Sequence, residues 1–180
     1  MTSNSSSPHL PYMQDCIKLA QQSPPKPSNF RVGALLVALP SRTVLATGYT
    51  LELPGNTHAE QSALTKYARE RGVADTESRL SDAFPPPPSD AADTELVIYC
   101  SMEPCAKRLS GNKSCAQRIV DTRGQGWGVK KVYYGVKEPE TFVGESEGVR
   151  LLTEAGVELE YVAGLEDEIL RVATAGHVQE

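Results

Sequence analysis

The sequence predicts a single α/β domain, and three observations carry that expectation. Apolar runs of strand length recur at residues 32–39, 95–100 and 129–136 and read as buried strands. Between them lie segments whose apolar residues fall at helical spacing. A chain of 180 residues is long enough to bury one sizeable core. Hydrophobic and charged fractions of 39% and 23% are those of an ordinary globular chain.

In chain order, residues 1–10 open with a Ser-rich polar stretch, expected to be a disordered tail, and the domain is expected over residues 11–176. Met13, Cys16, Ile17 and Ala20 follow at i, i+3, i+4 and i+7, an amphipathic helix ended by Ser23-Pro24-Pro25-Lys26-Pro27. Cys16 is read as a packed core thiol. The run at 32–39 is a central strand, and residues 44–53 return as a hairpin partner after Pro40-Ser41-Arg42. Pro54-Gly55-Asn56 breaks the chain before a helix over residues 58–71 that buries Ala59, Ala63, Leu64 and Tyr67. Residues 72–93 contain Pro85-Pro86-Pro87-Pro88 and read as a proline-rich surface insertion with few apolar anchors. Residues 95–100 form a second buried strand, with Cys100 packed in it. A helix opens at Cys115, residues 129–136 form a third buried strand, and residues 148–155 are helical. Residues 157–161 alternate as an edge strand, Leu165, Ile169, Val172 and Ala173 mark a last helix, and residues 177–180 form a tail. His9 and His177 are expected to be solvent-exposed in the termini.

The composition limits the function. A formal net charge of −5 argues against a dedicated nucleic-acid surface, which is normally basic. No apolar run is long enough to cross a bilayer, and the N-terminus lacks the basic-then-apolar pattern of a secretory leader. No membrane or nucleic-acid partner is expected. With two of its four cysteines in a metal-ligand pattern, the chain reads as a protein of a reducing compartment. That compartment is the cytosol, with the nucleus as the alternative.

The pattern is Thr57-His58-Ala59-Glu60, then Met102-Glu103-Pro104-Cys105, then Cys115. One imidazole and two thiolates make three zinc ligands, His58, Cys105 and Cys115, and three protein ligands leave a fourth position for water, the arrangement of a catalytic site. No further cysteine or histidine stands at finger-like spacing to close a structural one. Zinc pulls the pKa of a bound water towards neutrality. Glu60, beside the metal and not on it, is positioned to move protons between that water, a ring nitrogen and a leaving amine. By itself Glu60 reads better as the cap of its own helix in a Thr57-x-x-Glu60 box; the cysteine pair downstream reverses that reading in favour of hydrolytic deamination. His-x-Glu with Pro-Cys-x-x-Cys marks the zinc base deaminases, but here nine residues separate the cysteines. That loop carries Lys107, Arg108 and Lys113. Its Ser110-Gly111-Asn112 turn could face backbone N–H groups to an anion, such as a substrate phosphate.

These motifs resemble the cytidine-deaminase-like superfamily over nearly the whole ordered chain. The 105–115 segment is similar to the fungal branch of the riboflavin-biosynthesis deaminases. The resemblance implies a three-layer α-β-α fold with a central mixed five-stranded sheet flanked by helices, a zinc cofactor and assembly as a homodimer. It implies hydrolysis of 2,5-diamino-6-ribitylamino-4(3H)-pyrimidinone 5'-phosphate, a small phosphorylated aminopyrimidine. Asn29 matches the family's base-contacting asparagine. Glu138-Pro139-Glu140 stands where relatives have Asp-Pro-Asn against the sugar. The substrate-binding set so expected is Asn29, Ala59, Lys107, Arg108, Gly111, Asn112 and Glu138. No reductase-like or pseudouridine-synthase-like stretch accompanies the domain, so a stand-alone deaminase is expected. The competing readings are a deaminase of another base (cytosine, guanine or tRNA adenosine type) and a zinc-stabilised binding module, which would need no Glu60.

Overall fold

A computed structural model describes residues 7–139 and 146–178. Glu140, Thr141 and the outermost tail residues lie outside the described residues. Five strands, β1 (Gly33–Leu39), β2 (Thr43–Tyr49), β3 (Glu95–Met102), β4 (Val129–Val136) and β5 (Glu158–Tyr161), form one sheet in the order β2-β1-β3-β4-β5. β1 pairs antiparallel with β2 and β3, while β3, β4 and β5 run parallel. The sheet is therefore mixed, and helices cover both faces.

Strand alternation sorts side chains between those layers. Leu35 and Val37 of β1 and Val97 and Tyr99 of β3 pack with Met13, Cys16 and Ile17 of α1 (Leu10–Ala20) and with Ile169 and Val172 of α5 (Glu166–Ala173). Ala34, Leu36, Ile98 and Cys100 face the other way. They meet Ala59, Leu64 and Tyr67 of α2 (Ala59–Glu70), Ala116 and Ile119 of α3 (Cys115–Asp121) and Leu152 of α4 (Glu147–Glu154). Cys16 and Cys100 are thus core thiols, both fully buried.

Two glycines set how closely the helices approach. A Cβ at Gly33 would fall 1.9 Å from the Cys16 carbonyl oxygen, and one at Gly48 2.1 Å from that of Ala59. The second contact seats the first turn of α2 directly on β2, beside the sheet end where β3 delivers Cys105.

Three expectations are corrected. The proline-rich segment is anchored, because Leu80, Ala83 and Phe84 are at most 3% exposed and join the α2–α3 core. It contains two 3-10 turns, Leu80–Ala83 and Ser89–Ala91, and the proline run between them is largely at the surface. His9, expected exposed in a disordered tail, stands at the N-terminal boundary of α1. Its ring stacks on Tyr133 with centroids 4.2 Å apart, and its Nδ1 lies 2.9 Å from the Tyr99 hydroxyl. His177 places Nε2 3.0 Å from the Asn29 carbonyl oxygen and packs edge-on to Phe30. Aromatic partners distant in sequence made both histidines unreadable from local polarity.

Candidate active site

The carboxyl end of β3, where open α/β sheets place their ligands, meets the N-terminal ends of two helices. His58 is the N-cap residue of α2, and Cys115 is the first residue of α3, whose N-cap Ser114 accepts from the Gln117 N–H at 3.2 Å. Cys105 sits three residues past β3. Its carbonyl accepts from the Ala116 N–H at 3.1 Å, so α3 grips the segment that carries the first thiol.

His58 Nδ1 lies 3.5 Å from the sulfur of Cys105 and 3.5 Å from that of Cys115. The ligand atoms of His58, Cys105 and Cys115 all lie within 4.8 Å of one another, and both cysteines are buried. One nitrogen and two sulfurs so converged fit a tetrahedral zinc with its fourth position left over. The Cys115 backbone N–H points at Cys105 Sγ from 3.4 Å. Hydrogen bonding from Cys115, followed by that from His58, holds the Cys105 thiol well below its ordinary pKa, in the thiolate form that binds metal. Cys115, fully buried beside that sulfur, is pushed the other way.

Glu60 is 3% exposed. Burial, with the neighbouring Cys105 sulfur as a second cause, raises its carboxyl pKa. A carboxyl so shifted is suited to taking a proton and giving it back. Glu60 does not close the capping box of α2. The His58 N–H donates to the side-chain oxygen of Gln61 at 3.4 Å, so the N3 position, and with it the cap, belongs to Gln61. The helix starts one residue later than the sequence suggests, and that single step leaves the Glu60 carboxyl to the cavity.

That cavity, of about 250 Å³, is lined by Glu60, His58, Cys105, Asn29, Lys107, Arg108 and Glu138, with Phe30, Val32 and Met102 as apolar walls. A larger hollow of about 680 Å³ lies elsewhere, between Glu77, Leu80, Asp121 and Arg123, and holds none of the metal-ligand residues. Lys113 belongs to that second hollow, paired with Asp121, and is not a cation of the zinc cavity. Ala59, Gly111 and Asn112 do not line the cavity either. Ala59 is fully buried in the core. The Gly111 N–H is spent on the Arg108 carbonyl at 3.0 Å and the Asn112 N–H on Ser110 Oγ at 3.4 Å, so these amides close a local turn and do not face an anion. Lys107 stands on the rim with its side chain 81% exposed, 3.0 Å from Glu147.

Sequence reasoning missed Gln61, Asn56 and Glu103. Glu103 is 5% exposed, lines the cavity and accepts from the Ser146 hydroxyl. Its place beside Pro104-Cys105 was the available signal.

The family model of the cytidine and deoxycytidylate deaminase zinc-binding region matches residues 6–136. The chain is 34% identical over 169 residues to a diaminohydroxyphosphoribosylamino-pyrimidine deaminase of Schizosaccharomyces pombe, covering 94% of this chain and 36% of that protein. It thus spans about a third of that relative's length. Among solved structures, the Aspergillus oryzae Rib2 deaminase (C-terminal deletion mutant, pH 4.6) superposes with a TM-score of 0.84 at 50% identity, covering 95% of this chain and 93% of that one. The same enzyme in complex with DARIPP superposes with a TM-score of 0.84 at 49% identity over 95% and 92% of the two chains. The chain therefore belongs to the cytidine and deoxycytidylate deaminase zinc-binding family.

Proposed function

We propose that this protein deaminates 2,5-diamino-6-ribitylamino-4(3H)-pyrimidinone 5'-phosphate with water, releasing ammonia and 5-amino-6-ribitylaminouracil 5'-phosphate. The observation that carries the reading is the convergence of His58, Cys105 and Cys115 within 4.8 Å on a cavity that also holds the buried Glu60. The DARIPP complex of the 49% identical Aspergillus oryzae enzyme supports the substrate class.

His58, Cys105 and Cys115 would hold the zinc, which when bound supplies a water of lowered pKa as nucleophile. Glu60 takes the proton that this water loses on attacking the ring carbon that bears the 2-amino group. It passes that proton to the adjacent ring nitrogen, then takes the proton of the new hydroxyl on the ring carbon and gives it to the departing amine, so that ammonia leaves and a carbonyl remains. The raised pKa of Glu60 makes its protonated form accessible for the second half of that shuttle. Phe30, Val32 and Met102 exclude water from the ring, while Asn29 and Glu138 offer polar contacts to the base and the ribityl hydroxyls. Lys107, on the rim and highly exposed, meets the phosphate.

Ammonia release from a panel of aminopyrimidines tests the reading. The phosphorylated ribityl compound should turn over fastest, ahead of its ribosyl counterpart, and Lys107→Ala should raise KM for the phosphorylated compound alone. Brisk turnover of free cytidine with none of the ribityl compound overturns the substrate assignment. The homodimer expected from the family resemblance is part of this proposal, and the sedimentation mass of the purified protein checks it. Among the described residues no helix is long and apolar enough to cross a membrane.

A further inference from the structure

Arg108 lies in the loop between the two thiols, and its guanidinium fork is committed to protein acceptors on another segment. Nη1 donates to Gln61 Oε1 at 2.8 Å, and Nη2 donates to the backbone carbonyl of Asn56. Each acceptor leads to a wall of the cavity. Gln61 Oε1 also accepts the backbone N–H of His58 at 3.4 Å. Asn56 Oδ1 accepts from Asn29 Nδ2 at 2.9 Å, and Asn29 Oδ1 accepts from Ser28 Oγ at 3.0 Å. The Arg108 Nε–H is buried and has no partner among the described residues. A rigid planar fork can bridge two acceptors at once, which a lysine ammonium on a flexible stem does not reproduce.

We propose that Arg108 is a positioning residue and not a phosphate ligand. It pins the inter-thiol loop to the start of α2, fixes the backbone of His58 through Gln61, and fixes the Asn29 amide that borders the cavity through Asn56. The inference rests on the functional reading above for its kinetic consequence, but not for its structural one. The cation that sequence spacing offers to the phosphate is used to connect the metal-ligand helix to the residue beside the base.

Steady-state kinetics on the phosphorylated and dephosphorylated ribitylaminopyrimidine separate the roles. Arg108→Ala and Arg108→Lys should each lower kcat/KM by up to about 10²-fold, the scale of a misplacement of about 1 Å, and by the same factor for both substrates. A loss confined to the phosphorylated substrate overturns the proposal. In a double-mutant cycle, Arg108→Ala should cost less in an Asn29→Ala background than in the wild type, since both act through one network; full additivity counts against it. A readout without substrate distinguishes failure of this inference from failure of the functional reading. In 15N-labelled, zinc-loaded protein, the side-chain amide signals of Asn29 should move in Arg108→Lys and stay in place in Lys107→Ala. Unmoved Asn29 signals in Arg108→Lys overturn the positioning role even if neither pyrimidine proves to be a substrate.

Discussion

On the α2–α3 side of the sheet, His58 lies 3.5 Å from two sulfurs at the edge of a cavity. On the α1–α5 side, His9 lies flat on Tyr133 and the Cys16 thiol is buried in the same layer. Histidine and buried cysteine occur on both faces, yet among the described residues only one face gathers them. The difference is one of chain position. Cys105, Cys115 and His58 sit at element ends, where backbone N–H groups outside the ladders remain to be satisfied, and one of these, that of Cys115, points at the Cys105 sulfur. Cys16 lies within α1, where burial pushes its thiol pKa well up, with Asp15 adding to it. A thiol kept protonated is a small hydrophobe; one held as thiolate beside an imidazole is a metal ligand.

The largest contrast should come from removing thiols face by face. Cys105→Ala and Cys115→Ala should each lose most of the bound zinc and essentially all activity. Cys16→Ala should keep one zinc per chain and lose only stability, by about 0.5–3 kcal/mol, the usual range for a core truncation. Metal analysis alongside denaturant unfolding checks both. Full zinc retention in both Cys105→Ala and Cys115→Ala would end the contrast.

Next comes Glu60, buried on the gathered face but not a ligand. Glu60→Gln should retain zinc and fold while turnover falls by about 10²–10⁴-fold, the contribution of a general acid–base group. Gln61→Ala is the comparison, since it removes the cap acceptor of α2: a stability loss of about 0.5–2 kcal/mol is expected, with a turnover loss no greater than that of Arg108→Ala, because Gln61 also carries the Arg108 contact to His58. If the two variants exchanged these outcomes, the one-residue assignment of the capping box would be reversed.

How much of this was legible follows from the same geometry. The metal residues were readable because their types and order carry the chemistry, and the strands because continuous apolar runs need a two-sided burial that the sheet supplies. The core thiols Cys16 and Cys100 were readable from periodicity. Phe84 was not, because a single aromatic before four prolines shows no period, although it lies 4.9 Å from the Tyr67 ring in the core. The spending of Arg108 on Gln61 and Asn56 was hidden as well. Sequence spacing shows a cation in a loop but not which acceptors, some fifty residues away, fold against it.

The smallest effect belongs to the other histidine. Desolvation lowers the pKa of His9 from its ordinary value, and nearby Lys131 lowers it further, while Glu160, 3.9 Å away, raises it. Tyr99 and Tyr133 complete its surroundings without charge at neutral pH. Because desolvation dominates, the unfolded chain binds the proton at a higher pH than the folded one, so stability rises with pH across that window. The contribution is then fully present above about pH 6.5, the ordinary histidine value, and fades as pH falls through the lowered one. His9→Phe keeps a ring against Tyr133 but cannot titrate. The stability advantage of the wild type over this variant, read as melting temperature, should therefore shrink between about pH 7.5 and pH 5.5. Zinc content and kcat should not change. An advantage that grows on acidification would mean that the Glu160 ion pair outweighs burial, making His9 a charged partner and not a packed ring.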